Sequence, residues 1–184
     1  MMKKIMAVLA GILLSSVLYA GNYSEGKKFI GLEIGAAQIQ GGVYLDILDP
    51  FSYDQFYEGS GVAFGLRLGA QNDKYRTTLL YNYYDNVDED QNLQMGLLTI
   101  DYYVISTEAS SVTIKPFIGL NIGYMGYEST FVDESDFLYG GQAGVAVNVS
   151  EQIDIDLSYR YSLTYESLSM DHFGVLMLGV NYLY

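Results

Sequence analysis

The sequence contains no cysteine and no tryptophan, and only 2 of its 184 residues are proline. Without cysteine, neither a disulfide framework nor a thiolate metal site can form. Basic residues are also few, with 9 Lys and Arg against 22 Asp and Glu, which gives a formal net charge of -13. This charge argues against direct binding to nucleic acid. The fold must therefore be stabilised by backbone pairing and side-chain packing.

Long apolar runs are absent except near the start of the chain. The run over residues 5–18 follows two lysines and ends shortly before a small residue, Ala20. This order is typical of a secretory signal peptide, and the run is shorter than the roughly 20 residues of a spanning helix. We expect residues 1–20 to be removed on export, residues 21–27 to form a short periplasmic segment and residues 28–184 to form one domain. If the mature chain enters a membrane, it must do so as a closed barrel.

Apolar and polar residues alternate along eight segments of the mature chain. The clearest segment, residues 153–163, reads IDIDLSYRYSL. A period of two is the signature of a β-strand whose two faces have different surroundings. The other segments cover residues 30–36, 62–68, 75–84, 94–105, 115–125, 139–149 and 175–184.

The connections between these segments alternate in length. Short ones lie near residues 71–74, 106–111 and 150–152, and mostly longer ones cover residues 39–60, 84–93, 127–138 and 163–172. Short turns at one end and longer loops at the other are typical of outer-membrane barrels. We therefore predict an all-β fold, an eight-stranded antiparallel up-and-down transmembrane β-barrel with both termini at the end with the short turns.

A soluble lipocalin-like barrel would show the same period, so the composition of the two faces must decide. The polar face here is rich in Gly, Ala, Asn and Ser, the small residues that fit inside a narrow barrel. The apolar face carries many tyrosines, as expected for aromatic belts at membrane interfaces. These are Tyr75, Tyr81, Tyr83, Tyr102, Tyr124, Tyr139, Tyr159, Tyr161, Tyr182 and Tyr184. We therefore expect the apolar face to contact lipid.

With these features, residues 28–184 resemble the small OmpA-like and OmpX-like outer-membrane barrels, without a periplasmic domain. The most specific segment is the end, MLGVNYLY, which is similar to the C-terminal signal read by the barrel assembly machinery. Gly179, Tyr182 and Tyr184 match that signal, whereas Met177 stands where the family usually has a polar residue. The resemblance implies a location in the outer membrane, surrounded by lipid and lipopolysaccharide, and assembly by that machinery.

Eight charged residues lie on the polar faces of the predicted strands and should point into the barrel. They are Glu33, Arg67, Arg76, Asp101, Lys115, Asp154, Asp156 and Arg160. Such a set could form either an ion path or a self-neutralising network. Because the interior of an eight-stranded barrel is only wide enough for side chains, we expect a network that fills a closed lumen.

An enzyme hypothesis rests on the single histidine, His172, which has Ser169 and Asp171 close in sequence. Some barrels of this size modify lipid A, and they need a histidine with a nearby serine or acid for proton transfer. The same-face neighbours of His172 are Met170 and Gly174, so no Ser–His pair is set up along the strand. We expect no enzymatic activity and no cofactor.

The four longer connections contain fourteen acids and no lysine or arginine. Such a surface repels neighbours unless cations bridge the carboxylates, and carboxylates suit Ca²⁺ or Mg²⁺. The candidate metal ligands are Asp88, Glu89, Asp90, Asp133, Glu134 and Asp136. We expect an adhesin-like role, in envelope structure or surface interaction, with a cationic or cation-bridged partner. A narrow channel and a lipid A-modifying enzyme are the alternatives.

Overall fold

The structure, a computed structural model, describes residues 26–43, 55–86, 91–109, 112–128, 133–165 and 172–184. The expected signal peptide and nearly all of the segment after it lie outside these residues. Within the described ranges, no helix is long and apolar enough to cross a membrane.

The described residues form nine β-strands, in keeping with the alternating pattern and the abundance of tyrosine. They are β1 (Lys27–Val43), β2 (Gln55–Gln71), β3 (Tyr75–Asn86), β4 (Gln91–Tyr103), β5 (Thr107–Ala109), β6 (Val112–Glu128), β7 (Asp133–Asn148), β8 (Ile153–Thr164) and β9 (His172–Leu183).

Eight of these strands close a barrel. The order is β4-β3-β2-β1-β9-β8-β7-β6, every neighbouring pair is antiparallel, and pairing of β4 with β6 completes the ring. The ninth strand, β5, has three residues and pairs only with the start of β6. The predicted eight-stranded antiparallel up-and-down barrel is confirmed.

The first and last strands meet at one end of the barrel, which we call the terminal end. There the backbone nitrogen of Lys28 donates to the Tyr184 oxygen at 3.0 Å, and the Tyr184 nitrogen donates to the Lys28 oxygen at 2.8 Å. The connections 72–74, 104–106 and 149–152 lie at the same end. The opposite end, the loop end, carries the connections 44–54, 87–90, 129–132 and 166–171, which lie outside the described residues.

The strands extend further toward the loop end than the alternating pattern predicts. Residues 39–43 of β1 pair with residues 55–59 of β2, so the expected loop 39–60 shortens to 44–54. The outward face of β1, apolar at Ile34 and Ala36, becomes polar at Gln38, so the contrast that predicts the strand ends there.

The two faces of the barrel wall differ sharply. In β8, the side chain of Leu157 is 52% exposed and that of Asp156 is 1% exposed. The outer wall carries a belt of large apolar and tyrosine side chains that includes Leu32, Phe64, Leu66, Tyr81, Ile100, Leu120, Tyr159 and Leu178. A continuous belt of this kind matches the lipid-facing band of membrane barrels.

Candidate functional site

Two layers of side chains occupy most of the lumen. Toward the loop end lies an apolar layer, and nearer the terminal end lies a charged layer. The charged layer consists of Glu33, Arg67, Arg76, Asp101, Asp156 and Arg160, together with the amides of Asn82, Gln142 and Asn181. A small apolar cluster of Tyr103, Phe117 and Ala146 packs beside it, with the Arg76 guanidinium 4.4 Å from the centre of the Phe117 ring.

Ion pairs connect the members of the charged layer across the barrel. Asp156 Oδ2 lies 2.8 Å from Arg67 Nη1 and 3.0 Å from Arg76 Nη1. Arg76 Nε lies 2.8 Å from Asp101 Oδ2. Glu33 contacts both Arg160, at 3.3 Å, and Arg67, at 3.7 Å. The structure thus brings six of the eight predicted lumen charges into one connected network.

Three amides extend this network. Asn181 Nδ2 donates to Asp156 Oδ2 at 3.1 Å. Gln142 accepts a hydrogen bond from Arg160 Nε at 2.9 Å and donates one to Asp101 Oδ1 at 2.6 Å. Asn82 donates to Glu33 Oε1 at 2.6 Å and accepts from Arg160 Nη1 at 3.0 Å. Each amide lies on the polar face of its strand, and this position in the sequence could have identified it as a lumen residue. A search restricted to charged residues does not find them.

Glycine makes room for the charged layer at two positions. A Cβ atom at Gly179 would overlap the guanidinium group of Arg67, and one at Gly65 would overlap the amide of Asn82 and lie 2.7 Å from Glu33 Cγ. The side chains of the charged layer therefore pack closely at these two positions, where not even a Cβ atom would fit without displacing a neighbour.

The two remaining predicted lumen charges, Lys115 and Asp154, lie outside the ion-pair network. Lys115 is near the start of β6, and its Nζ lies 4.0 Å from the exposed Asp73 carboxylate and 5.3 Å from the centre of the Tyr103 ring. Asp154 is buried and accepts a hydrogen bond from Gln71 Nε2 at 3.2 Å.

Sequence reasoning missed the apolar layer, which occupies the loop-end half of the lumen. Its members include Leu80, Tyr84, Leu93, Met95, Leu97, Met125, Leu138, Phe173, Val175 and Met177. In the sequence these residues lie on the strand faces that otherwise carry the polar residues. The layer also explains Met177, which departs from the family pattern because its side chain packs inside this apolar layer rather than in a polar lumen.

Of the residues of the enzyme hypothesis, the structure describes His172 alone. His172 begins β9 beside the loop end, and its ring lies 5.0 Å from the ring of Tyr161, whose side chain is on the outer wall. Ser169 and Asp171 lie outside the described residues.

The candidate metal ligands are near the loop end. Asp88, Glu89 and Asp90 lie outside the described residues, and Asp133 and Glu134 begin β7. Asp136 accepts a hydrogen bond from the backbone nitrogen of Phe137 at 2.7 Å. In the part of the chain that the structure describes, no three His, Cys, Asp or Glu side chains are grouped as a metal site.

The residues of the predicted assembly signal occupy different surroundings. Gly179 faces the lumen against Arg67, and Tyr182 is exposed on the outer wall. Tyr184 is exposed and fixes the chain end to Lys28 through its backbone. Recognition by the assembly machinery remains a prediction.

Comparison with known proteins identifies the fold. A scan of protein-family models finds no match, and a search of curated protein sequences finds none either. Among solved structures, Neisserial surface protein A is similar with a TM-score of 0.57 and 17% identity, over 84% of this chain and 97% of that one. Outer membrane protein H from P. aeruginosa has a TM-score of 0.56 and 21% identity, over 86% and 99%.

A third similar structure is the outer-membrane enzyme PagL, with a TM-score of 0.50 and 16% identity over 83% of this chain and 97% of that one. The chain therefore has the fold of the small eight-stranded outer-membrane β-barrels. Proteins with this fold include both enzymes and barrels not described as enzymes, so the role of this chain must be argued from its own residues.

Proposed function

We propose that this chain is a non-enzymatic outer-membrane barrel with a closed lumen that acts in envelope structure or surface interaction through its acidic loops. The observation that carries this proposal is the filling of the lumen by the apolar layer and the charged layer. A barrel with no open path offers its surroundings only its outer wall and its two ends.

The outer wall supports a location in the outer membrane. Its exposed belt is apolar, and the similar structures are outer-membrane or surface proteins by name. Export by a signal peptide over residues 1–20 is part of this proposal.

The charge distribution favours the loop end as the interacting surface. The three arginines are buried in the charged layer, and Lys27, Lys28, Lys74 and Lys115 are at the terminal end. The loop-end connections therefore carry acids without bases. Such a surface suits a cationic partner, or lipopolysaccharide bridged by Ca²⁺ or Mg²⁺.

Conductance of the purified barrel in a planar lipid bilayer tests the closed lumen. We expect no large, stable current in the native protein, and a steady porin-like current would exclude this function. A matched set of variants, each with one loop-end connection replaced by a short Gly-Ser turn, then identifies the connection that supports adhesion or envelope integrity.

His172→Ala separates this proposal from lipid modification. A general base cannot be removed without a large fall in rate, so an enzyme would lose its effect on lipid A composition. We expect the lipid A of cells that produce the native barrel and of cells that produce His172→Ala to be identical. A change that only the native protein causes would establish the enzyme instead.

A further inference from the structure

Between the apolar layer and the charged layer, six residues that face the lumen lie in one continuous row, which we call the boundary row. Each residue is directly opposite the next in the pairing of neighbouring strands. None of the six is a large apolar residue. In order around the barrel wall they are Gly69, Thr78, Thr99, Asn121, Gly140 and Ser162.

The boundary row lies at the junction of the two layers. On β4, Thr99 has Asp101 of the charged layer two positions toward the terminal end and Leu97 of the apolar layer two positions toward the loop end. Thr78, directly opposite on β3, has the same place on its own strand. Every second residue of a strand faces the same side, so both threonines point into the lumen between a charged and an apolar neighbour.

Three residues of the boundary row bury polar atoms whose partners are not among the described residues. Thr78, Thr99 and Asn121 are each 1% exposed. Within the described part of the chain, Thr78 Oγ1, Thr99 Oγ1 and Asn121 Nδ2 form no hydrogen bond. The other end of the Asn121 amide is held by Ser162, whose Oγ donates to Asn121 Oδ1 at 2.8 Å. Native proteins rarely leave buried polar groups in this state, because each lost hydrogen bond destabilises the fold.

The two adjacent layers do not supply the missing partners. Toward the loop end, neighbours such as Leu97 are apolar. Toward the terminal end, both carboxylate oxygens of Asp101 are already bonded, Oδ2 to Arg76 and Oδ1 to Gln142. The three polar atoms therefore need a partner from outside the chain.

Water suits these atoms better than an ion does. Thr78 and Thr99 are cross-strand partners, as are Thr99 and Asn121, and the Cβ atoms of such partners are about 4.5–5.5 Å apart. One small molecule can therefore bond two neighbours at once. An amide nitrogen only donates, whereas a hydroxyl group both donates and accepts, and water can bond both kinds of group. Unlike an ion, it adds no charge to the buried interior.

We propose that the boundary row holds internal water, which accepts a hydrogen bond from Asn121 Nδ2 and bonds the hydroxyl groups of Thr99 and Thr78. A buried water typically makes about three hydrogen bonds to polar groups that otherwise lack partners, and the row supplies such groups on three consecutive positions. This water lies between the two layers and is part of the folded barrel. The site does not depend on the proposed function, since a barrel in any role would contain it.

Thr99→Val tests the site, because it keeps the shape of the side chain and replaces only the hydroxyl group with a methyl group. If water bonds Thr99, the variant loses one hydrogen bond, and the folding constant should fall about two- to tenfold. A buried hydroxyl group without any partner gives the opposite result, since its removal relieves a cost and raises the folding constant. The measurement is the urea unfolding equilibrium of the barrel in detergent, followed by tyrosine fluorescence.

Thr77→Val is the matched control. Thr77 is next to Thr78 on β3 but faces the outer wall, so its hydroxyl group is not in the boundary row. We expect an unchanged or higher folding constant, because the outer wall contacts apolar surroundings. A fall in Thr99→Val that exceeds any fall in Thr77→Val supports the water site. A folding constant of Thr99→Val that is unchanged, raised, or lowered no more than that of Thr77→Val overturns it.

A second measurement uses the native barrel. Water that stays in the boundary row should give a dipolar cross-peak to the side-chain amide protons of Asn121 in a rotating-frame NOE spectrum, where its sign separates it from proton exchange. The methyl group of Met125, which is fully buried in the apolar layer, should give none. The absence of the Asn121 cross-peak, or an equally strong one at Met125, would overturn the proposal.

Discussion

Gly179 lies against the guanidinium group of Arg67, and a Cβ atom at position 179 would overlap Arg67 Nη1. The same nitrogen is 2.8 Å from Asp156 Oδ2, so the missing side chain at Gly179 leaves the space in which this ion pair forms. Gly179, the glycine that matches the C-terminal assembly signal, therefore has a packing role in the charged layer.

Gly179→Ala should destabilise the barrel, because the added methyl group displaces Arg67 from Asp156. We expect a loss of about 1–3 kcal/mol in the free energy of unfolding, the usual range for overpacking. The measurement is urea unfolding of the folded barrel. Gly96→Ala is the matched control, since a Cβ there has no atom within 4 Å, and equal losses for the two variants would contradict the packing role.

Asp156→Asn should be the most costly of the conservative charge removals in the lumen. Asp156 lies 2.8 Å from Arg67 and 3.0 Å from Arg76, whereas Glu33 lies 3.3 and 3.7 Å from its two arginines. Its loss therefore leaves two buried guanidinium groups short of a close partner. Breaking a buried pair typically costs about 3–5 kcal/mol. Asp154→Asn, which breaks no ion pair, should cost much less. The unfolding free energies of both variants check the ranking.

Leu157→Lys tests which side of the wall contacts lipid. Leu157 is exposed on the outer wall within β8, and a lysine near the bilayer midplane costs about 2–4 kcal/mol. Val149→Lys is the control, because Val149 is exposed just beyond β7 at the terminal end, where the cost falls to about 0–1 kcal/mol. Unfolding from lipid vesicles measures both, and equal costs would contradict the assigned facing.

Met125→Ala tests whether the two layers close the lumen independently. Met125 is fully buried in the apolar layer, and its truncation should cost about 2–5 kcal/mol through lost packing and a residual cavity. The planar bilayer should still show no steady current, because the charged layer below remains intact. A stable conductance in this variant would mean that the apolar layer alone blocks the lumen.

The barrel itself could be predicted from sequence because lipid and lumen impose opposite demands on successive residues. In β8, the alternation from Ile153 to Leu163 predicts both the strand and which of its faces points outward. The prediction of strands fails where the two faces of a strand no longer differ in polarity. Residues 39–43 and 55–59 pair outside the alternating segments, and the pattern gives no sign of it.

The lumen was harder to predict than the wall. Polar positions could be assigned to the interior, but the register between distant strands decides which of them meet. Arg67 and Asp156 are 89 positions apart, and their contact follows only from the closed ring. Leu97 and Val175 are apolar although they face the lumen. At such positions the alternation of apolar and polar residues cannot distinguish a lipid-facing residue from one in the apolar layer inside.

The pairing of β1 with β9 also governs how the barrel can form. Phe29 lies opposite Leu183, so closure brings together the two extremes of the folded chain. Such non-local pairing gives a high contact order and slow folding, since the entropy of closing the whole chain is lost before the last ladder forms. Until β9 arrives, β1 and β8 both present open edges that can pair with other chains. β9 must therefore be synthesised before the ring can close.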